Sequence, residues 1–193
     1  MPLSPTTTRR ALKHTRAITI EAYARDDGLW DLDARITDSK TRDMQLASGL
    51  RPAGSALHDL SLRITIDTSM TIVDAEAVSD AVPYPGFCNA IGPDYKKLVG
   101  LNLLQHFRHG VKDRMAGIKG CTHLTELAQI LPTAAVQAFA GEVIATREGD
   151  QQDQQAKQPF QLDRCHALRL DGPAVAQYYP RWAIKLPAAN SSS

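Results

Sequence analysis

The chain has 193 residues, 43% of them hydrophobic, and is almost neutral, with 22 basic against 21 acidic residues and a formal net charge of +1. That length and apolar content suffice for one compact domain with a real core. The charge balance offers no electrostatic basis for binding nucleic acid or an anionic membrane, and no apolar run approaches the roughly 20 residues of a membrane span.

Near the N-terminus, Arg9 and Arg10 are not followed by the apolar stretch of a secretory signal, so a soluble, cytoplasmic protein is expected. Residues 1–13 carry no apolar periodicity and read as a flexible N-terminus. From 14 the pattern is that of an α+β core running to 147. "HTRAITIEAYA" alternates polar and apolar residues with β-branched ones, which suits a half-buried strand. An Asp-Gly turn in "RDDGLW" leads to "LWDLDARITDSK", so the two form a hairpin with Trp30, Leu32, Ala34 and Ile36 on one face. The Gly-, Pro- and Ser-bearing stretch 41–57 reads as a long loop. A second hairpin follows, with Leu60, Leu62, Ile64 and Ile66 on one face of "DLSLRITID", a "TSM" turn, and "TIVDAEAVSDA" returning. Two sequential hairpins imply an antiparallel sheet with one buried face.

The period then changes. Pro83, Pro85 and Pro93 punctuate the next stretch, with a helix expected to open at Pro93. Leu103, Phe107, Val111 and Met115 recur every four residues, as on an amphipathic helix. "CTHLTELAQILPTAAVQAFAGEVIA" is a further helix that Pro132 should kink or restart. Hairpins followed by helices give an antiparallel sheet with helices packed on one face. The Gln-rich stretch over 148–158 reads as a polar linker. Residues 159–188 are expected to form a strand–turn–helix segment docking on the core, and 189–193 a tail.

The three cysteines, Cys88, Cys121 and Cys165, are odd in number and widely spaced, which argues for a reducing compartment without a disulfide framework. They are either packed thiols or ligands and nucleophiles. Cys121 follows Gly120 at a helix start, where free N–H groups and the helix dipole favour a thiolate, and His123 is near enough to share a ligand. Cys88 sits just after the turn "YPGF", at a junction between elements. Cys165 is followed by His166, but neighbours on a strand face opposite ways, so at most one enters a shared site. His58 opens the strand of the second hairpin, where its imidazole can be aimed across the sheet end. His106 and His109 fall on a polar helix face, and His14 has no assigned place. Asp26, Asp27, Asp31, Asp33, Asp38, Asp67 and Asp74 are accounted for by turns and outer strand faces. Phosphate-loop, dinucleotide-fold, nucleophile-elbow and zincin motifs are absent from the sequence.

Two resemblances add to this reading. The order "LSLRITIDTSMTIVDAEAVSDAVPYPGFC", "LVGLNL", "GCTHLTELAQILPTAAVQA" resembles iron–sulfur scaffold proteins of the NifU/IscU type over roughly 56–140. That resemblance implies Cys88 and Cys121 as two of the scaffold cysteines. It departs from the pattern near Ala56, where a first cysteine belongs, and at His58, where the scaffolds have an aspartate. "HTRAIT", "DDGLWDLDARITDSK", "GCTHLTEL" and "CHAL…DGP" resemble a bacterial family known as a domain of unknown function, which implies no established activity.

The leading expectation is a metal-binding domain in which Cys88, Cys121, His58 and either His123 or Cys165 hold iron or zinc, with an iron–sulfur cluster as a variant. A rival is a metal-free enzyme with Cys121 as nucleophile on an acyl or other small organic substrate and Arg25 or Arg63 holding a carboxylate. A third is an interaction module whose cysteines are core. Neither the substrate nor a protein partner is specified by the sequence.

Overall fold

The structure is a computed structural model that describes residues 3–144, 146 and 158–184. The polar linker expected over 148–158, but for its last residue, and the tail 189–193 lie outside the described residues. The chain divides into two units, 1–136 and 137–193.

The first unit is built on a four-stranded antiparallel sheet in the order β1-β2-β5-β6, with β1 His14–Ala24, β2 Trp30–Lys40, β5 Ala56–Ile66 and β6 Ile72–Ala81. The two hairpins of the sequence therefore join through β2 and β5. The first turn needs a positive φ, which Gly28 supplies at 81°, and Asp27 accepts the Leu29 N–H across it. In the second, Asp67 Oδ1 accepts from the Ser69 and Thr71 N–H groups. Between the hairpins the expected loop instead holds a second, two-stranded sheet, β3 Met44–Leu46 with β4 Gly49–Arg51. Strands of three residues carry too little alternation to stand out in a sequence. This hairpin braces the chain beyond β6, with Arg51 donating to the Val82 carbonyl at 2.8 Å.

One face of the sheet is buried. Leu32, Ala34, Ile36, Leu60, Leu62, Ile64 and Ile66 are at most 1% exposed, while Asp33, Arg35 and Arg63, which alternate with them, lie on the other face in ion pairs such as Arg63–Asp33, and Val78 of β6 joins that face opposite Ser61. A run of 3-10 turns over Cys88–Leu98 packs against β6, helix α1 Phe107–Met115 packs against that run, and helix α2 Thr122–Phe139 meets the sheet end through Arg16–Glu126 and His123–Asp38. The buried residues of α1 are Phe107, Val111 and Met115, as their spacing predicts. Those of α2 include Leu124, Leu127, Leu131 and Ala135. Pro93 lies inside the 3-10 run and does not open a helix, since turns begin at Cys88. Pro132 does not end α2, which is continuous through it; its missing N–H leaves the Ala128 carbonyl without its helical donor. Gly92 is required where this layer meets β6, because a Cβ there would lie 2.6 Å from the Ala77 carbonyl oxygen. No helix among the described residues is long and apolar enough to cross a membrane.

In the second unit the described residues form turns, the short helix α3 Pro173–Tyr178 and a 3-10 turn Pro180–Trp182, with Leu162 and Val175 buried. The strand expected before the Asp-Gly-Pro turn does not form among the described residues.

The face assignment predicts unequal costs for similar truncations. Ile64→Ala, wholly buried, should lose about 2–5 kcal/mol in chemical denaturation. Val78→Ala, 44% exposed on the other face, should change stability by no more than about 0.5 kcal/mol.

Candidate functional site

At one end of the sheet three neighbouring strands place a row of polar residues on the otherwise apolar inner face. Pairing sets Arg16 of β1 opposite Asp38 of β2, and Asp38 opposite His58 of β5. The register slips immediately after this row, between Asp38 and Ser39, and such bulges re-aim side chains at the ends of sheets. Asp38 is 2% exposed. An ionised carboxylate so placed needs compensation on both oxygens, and it has that. Arg16 donates to it twice, Nε to Oδ1 and Nη2 to Oδ2, each at 2.9 Å. His14 Nε2 lies 2.7 Å from Oδ1 and His58 Nδ1 lies 3.0 Å from Oδ2. Burial alone would raise the Asp38 carboxyl, but the hydrogen bonds from Arg16 and His14, with the charge of Arg16, outweigh it and hold the group well below the usual carboxylate range.

The fourth side comes from α2. The remaining Arg16 nitrogen, Nη1, donates to Glu126 at 2.6 Å, which ties the first turns of α2 to β1. His123, from the first turn, brings Nε2 to 3.6 Å from Asp38 Oδ2 and stacks its ring on that of His58 with centroids 3.8 Å apart. Burial disfavours the charged form of both imidazoles. The charge of His123 adds to this at His58, and that of Arg16 adds to it at His123, so both titrate below the ordinary histidine value. The start of α2 is itself fixed. The buried Tyr95 hydroxyl donates to the Cys121 carbonyl at 2.9 Å and accepts the Cys121 N–H at 3.1 Å. Burial pushes that hydroxyl up to about 12. Gly120 is required just before, because a Cβ would lie 2.4 Å from the Met115 carbonyl oxygen.

Asp38, His58 and His123 each offer a ligating atom, and these atoms lie within 4.8 Å of one another. Among the described residues they are the group of three or more such side chains that converges in this way. A cleft of about 380 Å³ opens beside them, lined by both histidines and by Cys88 and Cys121. Cys121 Sγ lies 4.0 Å from His123 Nδ1, the ring nitrogen other than the one near Asp38.

Of the residues singled out from the sequence, the fold thus brings His58, Cys88, Cys121 and His123 to one cleft. Cys165 is exposed and belongs to the second unit. Arg25 and Arg63 do not reach the cleft as carboxylate clamps. Arg25 is bound to Asp27 and Asp31, and Arg63 to Asp33 on the opposite face of the sheet, because odd-numbered positions of β5 point away from His58. The sequence reading missed Asp38, Arg16 and His14. Asp38 had a legible signal, since it continues the series Leu32, Ala34, Ile36 two residues on and so belongs to the buried face. Arg16 and His14 gave no such sign on a strand that is exposed at nearly every position.

Residues 14–137 match the model of a family described as a protein of unknown function, DUF2889. The chain belongs to this family. The matched part of DUF2889 contains every residue of the Asp38 cluster and both cleft cysteines, and Cys165 lies outside it. No curated protein and no solved structure matches the chain.

Two predictions follow from this electrostatic arrangement. Asp38→Asn keeps the shape but offers Arg16 one acceptor in place of two, and should cost about 1–3 kcal/mol of unfolding free energy in urea titration. His58, His123 and Asp38 all hold fewer protons folded than unfolded, so stability rises with pH through their range. Between pH 7 and 5 the wild type should lose thermal midpoint as the histidines are forced to charge. The double variant His58→Asn/His123→Asn should lose less over that interval, and the Asp38 contribution should begin to fall only below about pH 4 and fade progressively in stronger acid.

Proposed function

We propose that this domain binds one divalent metal ion, zinc or iron(II), through Asp38 Oδ2, His58 Nδ1 and His123 Nε2. The observation that carries the reading is the convergence of one ligating atom from each of these residues within 4.8 Å of one another, with Asp38 buried. Around an ion with bonds near 2.0 Å, tetrahedral neighbours stand about 3.3 Å apart. The contacts of Asp38 Oδ2 with His58 at 3.0 Å and with His123 at 3.6 Å bracket that spacing. Two imidazoles and a carboxylate form a donor set that suits both ions. Their depressed titration favours the neutral imidazole, which ligates an ion once its ring proton sits on the nitrogen away from it. Arg16 and His14 grip the carboxylate from outside the ligand set and fix its orientation.

This set is rich in nitrogen and oxygen, which favours a single ion over a thiolate-held cluster. The likeness in element order to iron–sulfur scaffolds contributes no ligand to it. Cys88 and Cys121 line the cleft with both histidines, and an ion held by three protein ligands would keep an open position that supplies Lewis-acid chemistry. The test is elemental analysis of untagged protein purified without chelators and after reconstitution with Zn²⁺ or Fe²⁺. About one equivalent per chain is expected, with affinity lowered more than tenfold in Asp38→Ala and His123→Ala and kept in Cys88→Ser. Wild-type protein holding under one-tenth equivalent would remove the reading.

A second reading rests on the series Cys121 Sγ, His123 and Asp38, spaced 4.0 and 3.6 Å. It makes Cys121 a nucleophile that passes its proton to His123 Nδ1, with Asp38 orienting the imidazole. Iodoacetamide labelling followed by mass spectrometry separates the two. This reading requires Cys121 to alkylate at least tenfold faster than Cys88 and Cys165 near pH 7, and to slow to their rate in His123→Ala. Equal rates in the wild type count against it.

A further inference from the structure

The cleft beside the proposed ion has a composition that selects a ligand. No Asp, Glu, Lys or Arg is among its lining residues. Its walls are apolar, with Leu60, Val82, Pro83 and Ile91, while Tyr84 and Phe87 stand at the rim 51% and 82% exposed. A large aromatic surface left in water next to a concave apolar wall is what a bound apolar group covers. At about 380 Å³ the cleft is near the small end of the range for small-molecule sites. Its polar lining includes His58 and His123, two of the proposed ligands, with Cys121 beside His123 and with Cys88, Thr122 and Tyr84. A divalent ion held by one carboxylate and two imidazoles, which ligate as neutral rings, keeps an uncompensated charge of +2 −1 = +1. The charge left over calls for an anion.

We propose that the cleft binds an organic monocarboxylate with an apolar body of about six to ten carbons, its carboxylate on the metal ion and its body along Leu60, Val82 and Ile91 with Phe87 closing over it. The proposal rests on the metal reading above, and it adds the class of ligand that the ion would present to chemistry. A cationic amphiphile lacks the matching charge, and a short acid such as acetate lacks the body.

The test uses full-length protein loaded with Co²⁺, whose visible absorption reports changes in its own coordination. Octanoate, acetate and octylammonium are titrated separately. Octanoate should shift the cobalt bands and bind at least tenfold more tightly than acetate, and octylammonium should leave the bands unchanged. Ile91→Trp, which fills the cleft, should keep cobalt and lose the preference for octanoate. Phe87→Asp alters an exposed side chain and so keeps the test alive if the first variant does not fold; it should weaken octanoate at least fivefold with no effect on acetate. Octanoate and acetate within threefold of each other, octylammonium matching octanoate, or undiminished octanoate binding in the variants would overturn the proposal while leaving the metal reading intact. Failure of the wild type to take up cobalt would overturn both.

Discussion

A charged carboxylate on the buried face of the sheet is the constraint around which the first unit is arranged. Asp38 occupies a position that period-two patterning reserves for an apolar side chain, and it is almost inaccessible to water. Leaving such a group without partners costs several kcal/mol, so neighbouring elements must supply donors. β1 contributes Arg16 and His14, β5 contributes His58, and α2 comes close enough to add His123. Arg16 serves twice, because its guanidinium fork holds Asp38 with one edge and Glu126 of α2 with the remaining nitrogen. Edge strand, central strands and helix are thereby tied at one point by charge as well as by apolar burial.

That arrangement costs stability relative to an apolar row, since buried ionic clusters seldom outdo packed hydrocarbon. The local features around it are those of a site held in a fixed geometry. A bulge follows Asp38, Gly120 permits a backbone approach that no side chain allows, and the Tyr95 hydroxyl holds the Cys121 peptide from both sides. Two imidazoles lie with ring centroids 3.8 Å apart, both pushed toward neutrality by burial. The adjoining cleft is walled by hydrocarbon and free of formal charge among its lining residues. A polar corner at the end of an apolar slot is the general plan of a small-molecule site.

Membership of DUF2889 supplies no activity, so any functional statement about this chain has to come from that corner. The same His123 ring serves either of the two chemistries considered, since one of its nitrogens faces Asp38 and the other faces Cys121. Metal occupancy and thiol reactivity distinguish them because each draws on a different edge of the ring.

By itself the sequence determined the secondary structure that repeats: two hairpins from period-two alternation, the buried faces of β2 and β5, the amphipathic stripe of α1, and a helix start at Cys121. It also marked His58, Cys88, Cys121 and His123 as chemistry-bearing residues at junctions between elements. Tertiary structure alone decided which of these converge. Strand register set Arg16, Asp38 and His58 in one row, and register depends on turn geometry and on pairing between residues 20 or more positions apart. The position of α2 then brought His123 across a sequence separation of 85 to meet Asp38 (123 − 38). A buried aspartate and a solvent-facing one read alike as letters. Period two puts Asp38 on the opposite face from Asp33, five positions earlier in β2, but only the folded sheet shows which of the two is sealed from water and must have its charge matched.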